Sequence, residues 1–143
     1  MISGESRRLV LLRHGRTAWN DTGRAQGHAD IELDEVGHQQ AAAAAPALAA
    51  LRPSALWTSD LARARQTCAY LERATGLAAK VDERLREYDV GARQGMDTAQ
   101  FRESFPEAFE SWTRGHEEHL VPGAESTSDL LCRMVPALRA RTM

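Results

Sequence analysis

Short apolar runs alternate with longer amphipathic segments along the 143-residue chain. The continuous apolar run Leu9–Leu12 changes abruptly to polar residues, which is typical of a buried parallel strand that enters a loop. Two further apolar runs predict strands over residues 55–58 and 78–81. Helical patterns fill most of the remaining chain. The predicted helices span residues 34–51, 61–75, 97–104, 106–114 and 126–138.

Local residue signals mark the ends of these helices. Asp34 is the predicted N-cap of the first helix, and Pro46 inside that helix should bend it. Ser59 and Asp60 are the predicted caps of the second helix. The polar run at 126–129 has the form of a capping box and opens the last helix.

The order of strands and helices predicts the fold class. Strands that alternate with helices indicate an α/β domain with a parallel sheet, whose ligands bind beyond the carboxyl ends of the strands. Polar corners follow the first two predicted strands at 13–15 and 59–60, and a charged, glycine-containing loop over 82–95 follows the third. No linker divides the chain, so residues 1–143 are expected to form one domain.

Composition limits the classes of partner. Hydrophobic residues make up 43% of the chain, and the net charge is −2, which gives no basic excess for a nucleic acid or an anionic membrane surface. No apolar run approaches membrane-spanning length, so a soluble, cytoplasmic protein is expected. Cys68 and Cys132 lack the spacing of metal or redox motifs.

The first polar corner contains chemistry suited to a phosphoryl group. A neutral imidazole such as that of His14 is a nucleophile near pH 7, and the planar guanidinium of Arg13 matches two phosphate oxygens. Gly15 allows the backbone to approach an anion closely. The alternative is a hydrogen-bonded loop histidine beside a surface arginine, because short motifs also occur by chance.

Two further segments add candidates. Arg63 lies in the first turn of a helix that follows a strand, where anions are stabilised, and is a second candidate phosphate ligand. Its alternative is a solvated helix arginine, which is the expected role of Arg65 and Arg73. Glu87, in the loop after the third strand, is the candidate general acid if a partly dry pocket raises the pKa of its carboxyl group. Its alternative is an ordinary surface glutamate.

Taken together, these segments resemble the histidine phosphatase superfamily, the phosphoglycerate mutase-like phosphatases. Its signatures R-H-G-x-T-x-x-N, S-D-L-x-R-A-x-Q-T, a glycine-containing L-x-E loop and P-G-x-E-S are matched in family order. The matching segments are 13–20, 59–67, 85–91 and 122–126. Residues 26–33 resemble the substrate-side loop of the family. The resemblance implies a three-layer α/β/α fold with a mainly parallel central sheet.

The resemblance also implies roles for individual residues. His14 would become the phosphohistidine intermediate, Arg13 and Arg63 would bind the phosphoryl oxygens, and Glu87 would donate the proton. The substrate pocket would be lined by Asn20, Gln26 and Gly27. The family reaction needs no metal and no other cofactor, and the expected partner is a small phosphorylated metabolite. A homodimer is compatible with the resemblance.

One family feature is not matched. The family carries a second pocket histidine on a strand downstream of P-G-x-E-S, and no such histidine follows residue 126 here, so the chain is expected to be a truncated form. The remaining histidines are expected at the surface, with His28 a minor candidate because it lies beside the substrate-side loop. They are His28, His38, His116 and His119. The segment 92–95 also replaces the usual W-E-G or W-Q-G pattern of the family, which is expected to alter substrate choice.

Three functions follow from these patterns. The favoured one is a metal-independent phosphomonoesterase that hydrolyses a small phosphorylated metabolite through a phosphohistidine on His14. A phosphoglycerate mutase is the nearest enzyme alternative, and is disfavoured because mutases usually have longer insertions around the Glu87 loop. The alternative from another class is a catalytically impaired remnant that only binds phosphate.

Overall fold

The computed structural model describes residues 7–116 and 120–142. Within these residues the structure contains all of the predicted helices and the last two predicted strands, together with a short helix at 18–21 that was not predicted. The α-helices are α1 (Ala18–Asp21), α2 (Glu35–Ala50), α3 (Ala62–Thr75), α4 (Thr98–Ser104), α5 (Pro106–Thr113) and α6 (Thr127–Thr142). The strands are β1 (Leu56–Thr58) and β2 (Ala79–Val81), and short 3₁₀ helices span Glu83–Leu85 and Gly91–Arg93.

The two strands form a parallel sheet joined by α3. Leu56 pairs with Ala79 and Thr58 with Val81, and the backbone N–H of Asp82 extends the ladder to the Thr58 carbonyl at 2.9 Å. Helix α3 packs against both strands and against α2. This strand–helix–strand unit confirms the predicted α/β class, and it places the end of β1 next to the start of α3.

The predicted first strand is wrong for this structure. Residues 9–12 adopt no regular structure, and their side chains are 44–75% exposed. An apolar run becomes a strand only when a neighbouring strand accepts and donates its backbone hydrogen bonds, and none of the described residues pairs with this run. The polar corner that follows is therefore held by other contacts.

Helix α2 holds that corner through its N-terminus. Asp34 caps the helix as predicted, since its Oδ1 accepts the Gly37 N–H at 2.8 Å. The backbone of Gly37 lies against Gly15 and Arg16 so closely that an added Cβ on Gly37 would meet the Arg16 carbonyl oxygen at 2.0 Å. Only glycine at this helical position permits that approach. Pro46 lies inside α2, which continues to Ala50.

The cap of α3 differs from the prediction. Its N-cap residue is Leu61, whose side chain cannot cap, and the free N–H of Ala62 instead donates to Asp30 Oδ1 at 2.7 Å. Asp60, a predicted cap, forms an ion pair with Arg86, and Ser59 is buried. The prediction of Ser59 and Asp60 as the caps of this helix is wrong, because the carboxylate of Asp30, 32 residues before Ala62, binds the helix end instead.

A buried apolar cluster lies around α4 and α5. Phe101, Ala108 and Val121 are its buried members, and Phe109 and Trp112 pack against them. The Arg93 guanidinium, in the segment that departs from the family pattern, lies 4.0 Å from the Phe101 ring centroid and 4.5 Å from that of Trp112. The segment thus packs on this cluster, while its effect on substrate choice stays a prediction.

Helix α6 begins with the predicted capping box and is longer than predicted. The Ser126 N–H donates to Asp129 at 2.8 Å, and the Asp129 N–H donates to Ser126 Oγ at 3.2 Å. Near its other end, Arg141 forms a buried ion pair with Asp82, 2.5 Å apart, which joins α6 to the end of β2. Among the described residues, no helix has the length and apolar character needed to cross a membrane.

Candidate active site

The first polar corner is organised by a buried threonine. Thr17 is fully buried and is the N-cap of α1, forming a reciprocal capping box with Asn20. Its hydroxyl also donates to Gln26 Oε1 at 2.7 Å. One side chain therefore links the corner at 13–16, helix α1 and the following loop. The sequence motif that contains Thr17 did not predict this role.

His14 is half-buried and held in a defined tautomer. Its Nδ1 lies 2.7 Å from the Gly15 carbonyl oxygen. A carbonyl oxygen only accepts hydrogen bonds, so Nδ1 must carry the proton. In the neutral ring the lone pair then lies on Nε2, which is the atom available to attack a phosphorus centre.

The other predicted site residues share the surroundings of His14. Burial lowers the pKa of His14 below its ordinary value of 6.5, the carbonyl of Gly15 opposes this, and the charges of Arg63 and Arg13 lower it further. The negative charge of the Glu87 carboxylate raises the pKa of His14. The charges of the other three residues predicted to be catalytic therefore all act on His14.

A direct consequence is that the His14 imidazole is neutral at pH 7. Its folded-state pKa lies below 6.5, so the imidazole loses its nucleophilic lone pair only as the pH falls through that lower value. We expect an NMR titration of the His14 Hε1 resonance, assigned by its absence from a His14→Ala spectrum, to show a midpoint below 6.5. A midpoint at or above the ordinary histidine value would contradict the buried, cationic environment.

Thr67 connects the two polar corners. The Gly15 N–H donates to Thr67 Oγ1 at 3.0 Å, and that hydroxyl donates to the Arg63 carbonyl at 2.8 Å. Thr67 is buried on α3, so its hydroxyl fixes the backbone beside His14 relative to the helix that carries Arg63. Sequence reasoning did not identify this role, although Thr67 ends the second signature.

Arg63 is a buried cation rather than a solvated helix residue. Its side chain is only 2% exposed, and its guanidinium donates to the carbonyls of Ala29 and Gly27, both at 2.7 Å. These two bonds orient the planar group and use part of its five N–H donors. Burial lowers the pKa of Arg63, while the charges of Glu87 and Asp30 raise it.

The predicted general acid lies on an exposed part of its loop. Glu87 is exposed, in contrast to the expected partly dry pocket, because the described residues leave its carboxylate open to solvent. Its Oε1 accepts the N–H of Tyr88 at 3.0 Å. The backbone around it is held from another direction, by Arg133 of α6 and by His28.

The residues predicted to line the substrate pocket form hydrogen bonds within the protein. Asn20 Oδ1 accepts the Thr17 N–H at 3.0 Å, and Gln26 is buried against the Thr17 hydroxyl. Gly27 has a positive φ of 53°, and its carbonyl accepts from Arg63. The family resemblance implied these residues, and their contact with a substrate stays a prediction.

The remaining histidines differ in their surroundings. His116 is exposed, as expected. His38 is half-buried beside the Tyr70 hydroxyl at 3.0 Å, and His119 lies outside the described residues. His28 is not a free surface group, because its Nε2–H donates to the Glu87 carbonyl at 2.9 Å. Its position at the substrate-side loop made His28 a minor candidate, but the sequence did not indicate this contact.

A comparison with protein families agrees with this geometry. The model of the histidine phosphatase superfamily (branch 1) matches residues 9–142. The chain belongs to this superfamily. The family assignment includes the three-layer α/β fold implied by the sequence resemblance.

Relatives within the histidine phosphatase superfamily include named phosphatases. The chain is 43% identical over 131 residues to a glucosyl-3-phosphoglycerate phosphatase of Mycobacterium tuberculosis, covering 92% of this chain and 58% of that protein. It is 37% identical over 141 residues to a metal-independent phosphoserine phosphatase of Arabidopsis thaliana, covering 96% of this chain and 59% of that protein. The chain thus spans under two thirds of the length of these relatives.

A solved structure of the superfamily supports the same arrangement. The mycobacterial glucosyl-3-phosphoglycerate phosphatase in complex with VO3 superposes with a TM-score of 0.86 at 41% identity, covering 94% of this chain and 67% of that one.

Among residues 7–116 and 120–142, no group of three or more His, Cys, Asp or Glu side chains is arranged to hold a metal ion.

Proposed function

We propose that this chain is a histidine phosphatase domain, a metal-independent phosphomonoesterase that acts through a phosphohistidine on His14. The observation that supports this most is the state of His14. Its Nδ1–H is engaged by the Gly15 carbonyl, its pKa is lowered by burial, and the cationic Arg63 and Arg13 lie in its neighbourhood. A neutral imidazole with a free Nε2 beside two arginines is suited to attack on a phosphate ester.

In the proposed reaction, Nε2 of His14 attacks phosphorus in line with the ester oxygen. The N–P bond forms as the P–O bond to the alcohol breaks, and the leaving oxygen takes a proton from Glu87. Glu87 then accepts a proton from water, whose oxygen attacks phosphorus and breaks the N–P bond, releasing inorganic phosphate. Arg13 and Arg63 offset the negative charge of the transferring group, a role that positioned cationic donors perform in phosphoryl transfer.

The proposed substrate is a small phosphorylated metabolite, and the named relatives narrow its class. Their names indicate glucosyl-3-phosphoglycerate and phosphoserine, which both contain a three-carbon carboxylic acid with phosphate on its third carbon. The net charge of −2 supports such a small molecule rather than a nucleic acid. Asn20, Gln26 and Gly27 are proposed to line the pocket for the non-phosphate part.

The proposal is tested with the purified 143-residue chain in EDTA. We expect the chain to hydrolyse p-nitrophenyl phosphate and 3-phosphoglycerate, and the rate for each substrate to be unchanged by the chelator. Rapid quenching at alkaline pH, where phosphohistidine survives, should reveal by mass spectrometry a phosphorylated peptide that contains His14.

Two outcomes would count against the proposal. Activity that disappears in EDTA and returns with a divalent cation would indicate metal-dependent chemistry. Binding of inorganic phosphate at His14, seen as a shift of its NMR resonance, without turnover of any ester would favour the phosphate-binding remnant.

A further inference from the structure

One arginine on α6 holds the backbone of the loop that carries Glu87. Arg133 Nη1 donates to the carbonyl of Arg84 at 2.9 Å and to that of Arg86 at 2.8 Å. Its Nη2 donates to the carbonyl of Glu87 itself at 2.8 Å. A single guanidinium therefore binds three carbonyls within four residues of the loop.

Arg133 is in turn oriented by Glu125. Arg133 Nε donates to Glu125 Oε1 at 2.6 Å and Nη2 to Oε2 at 2.7 Å, a two-point pairing that fixes the plane of the guanidinium. Both side chains are less than 20% exposed. The hydrogen bond from Arg133 holds the pKa of Glu125 below its usual range, so this pair stays charged at neutral pH.

Glu125 also binds the loop on the C-terminal side of Glu87. Its Oε2 accepts the Asp89 N–H at 2.9 Å, and its own backbone N–H donates to the Asp89 carbonyl at 2.8 Å. The Arg133–Glu125 pair thus contacts the backbone at Arg86, at Glu87 and at Asp89, which lies two residues after Glu87. His28 adds one further bond to the Glu87 carbonyl.

We propose that Arg133, oriented by Glu125, is a positioning residue that holds Glu87 in place as the proton donor. This inference rests on the proposed phosphatase function. The exposed Glu87 side chain accepts a hydrogen bond only from the neighbouring Tyr88 N–H among the contacts of the described residues, so its direction depends on the backbone that Arg133 holds. Misplacing an acid by a small distance removes much of its contribution.

The test uses the different needs of two leaving groups. An alkoxide such as that of 3-phosphoglycerate is a strong base and must be protonated as it leaves, whereas p-nitrophenolate leaves without help. General acid catalysis contributes about 10²-fold or more, so Arg133→Met should lower kcat/KM for 3-phosphoglycerate by about 10²-fold. The loss for p-nitrophenyl phosphate should be far smaller. Reduced folding alone would lower both values in the same proportion.

The controls separate positioning from folding. Arg139→Met removes an exposed arginine from the same helix and should leave both kcat/KM values unchanged. Arg133→Lys keeps the positive charge but has a single donor nitrogen and no planar fork, and should fold even if Arg133→Met does not. It should show the same selective loss with 3-phosphoglycerate, but a smaller one. In a Glu87→Gln background, Arg133→Lys should cause no further loss with 3-phosphoglycerate.

Equal losses on both substrates, or a loss that persists in the Glu87→Gln background, would overturn the positioning role. Failure of the proposed function is distinguishable, because the wild-type chain would then show no turnover that depends on His14. In that case the assignment of Arg133 is overturned together with the function on which it rests.

Discussion

Replacing His14 with alanine should lower kcat/KM for p-nitrophenyl phosphate by about 10⁴-fold or more, the scale seen when a covalent nucleophile is removed. Alanine carries no lone pair that could form the N–P bond. The change should cost little stability, because the side chain is half-buried and its one hydrogen bond is to the adjacent Gly15 carbonyl. Steady-state hydrolysis and thermal unfolding of the same preparation check both parts.

His116→Ala is the matched control for this prediction. His116 is an exposed histidine outside the proposed site, so its removal should leave hydrolysis unchanged. The prediction fails if His14→Ala retains more than a small share of the wild-type activity while staying folded. Such a result would assign the nucleophile to another group and remove the central argument for the proposed function.

Replacing Arg63 with methionine should damage both stability and phosphate binding. The buried guanidinium satisfies the carbonyls of Gly27 and Ala29, and an unsatisfied buried acceptor costs about 1–3 kcal/mol. We therefore expect the free energy of unfolding in urea to fall by about 2–6 kcal/mol on the same basis. Hydrolysis should fall by about 10²–10³-fold, the loss typical of one positioned donor to a developing charge.

Inorganic phosphate separates the two roles of Arg63. A ligand that binds only the folded state raises the free energy of unfolding, so phosphate should stabilise the wild-type chain and not the Arg63→Met variant. Arg65→Met removes an exposed arginine from the same helix and should change stability by less than about 0.5 kcal/mol. Unchanged urea unfolding of Arg63→Met would show that the two carbonyl contacts are not needed for stability.

The helices were predictable because their signals are local. Asp34 caps α2 from three residues before Gly37, and Ser126 and Asp129 cap each other across one turn. The same logic failed for α3, whose first free N–H is bound by Asp30 from a distant loop. It also failed for residues 9–12, because a strand is completed by backbone groups of another segment and not by its own apolar side chains.

For the candidate site, residue chemistry and position after the predicted strands made His14, Arg13, Arg63 and Glu87 candidates, and the resemblance indicated the family that the comparison confirms. These residues lie in signatures read directly along the chain. The contacts made by Thr67, His28 and Arg133 could not be predicted, because each joins segments 46–59 residues apart. The exposure of Glu87 likewise depends on which surfaces meet around its loop.

The sequence by itself therefore determined the order of the five longer helices α2 to α6, the α/β class, the family and the chemical groups available for phosphoryl transfer. The tertiary structure decided the tautomer of His14, the burial of Arg63 and the contacts that hold the Glu87 loop. The physical reason is that caps and apolar periodicity act within a few residues, whereas burial and hydrogen-bond partners depend on segments that only folding brings together.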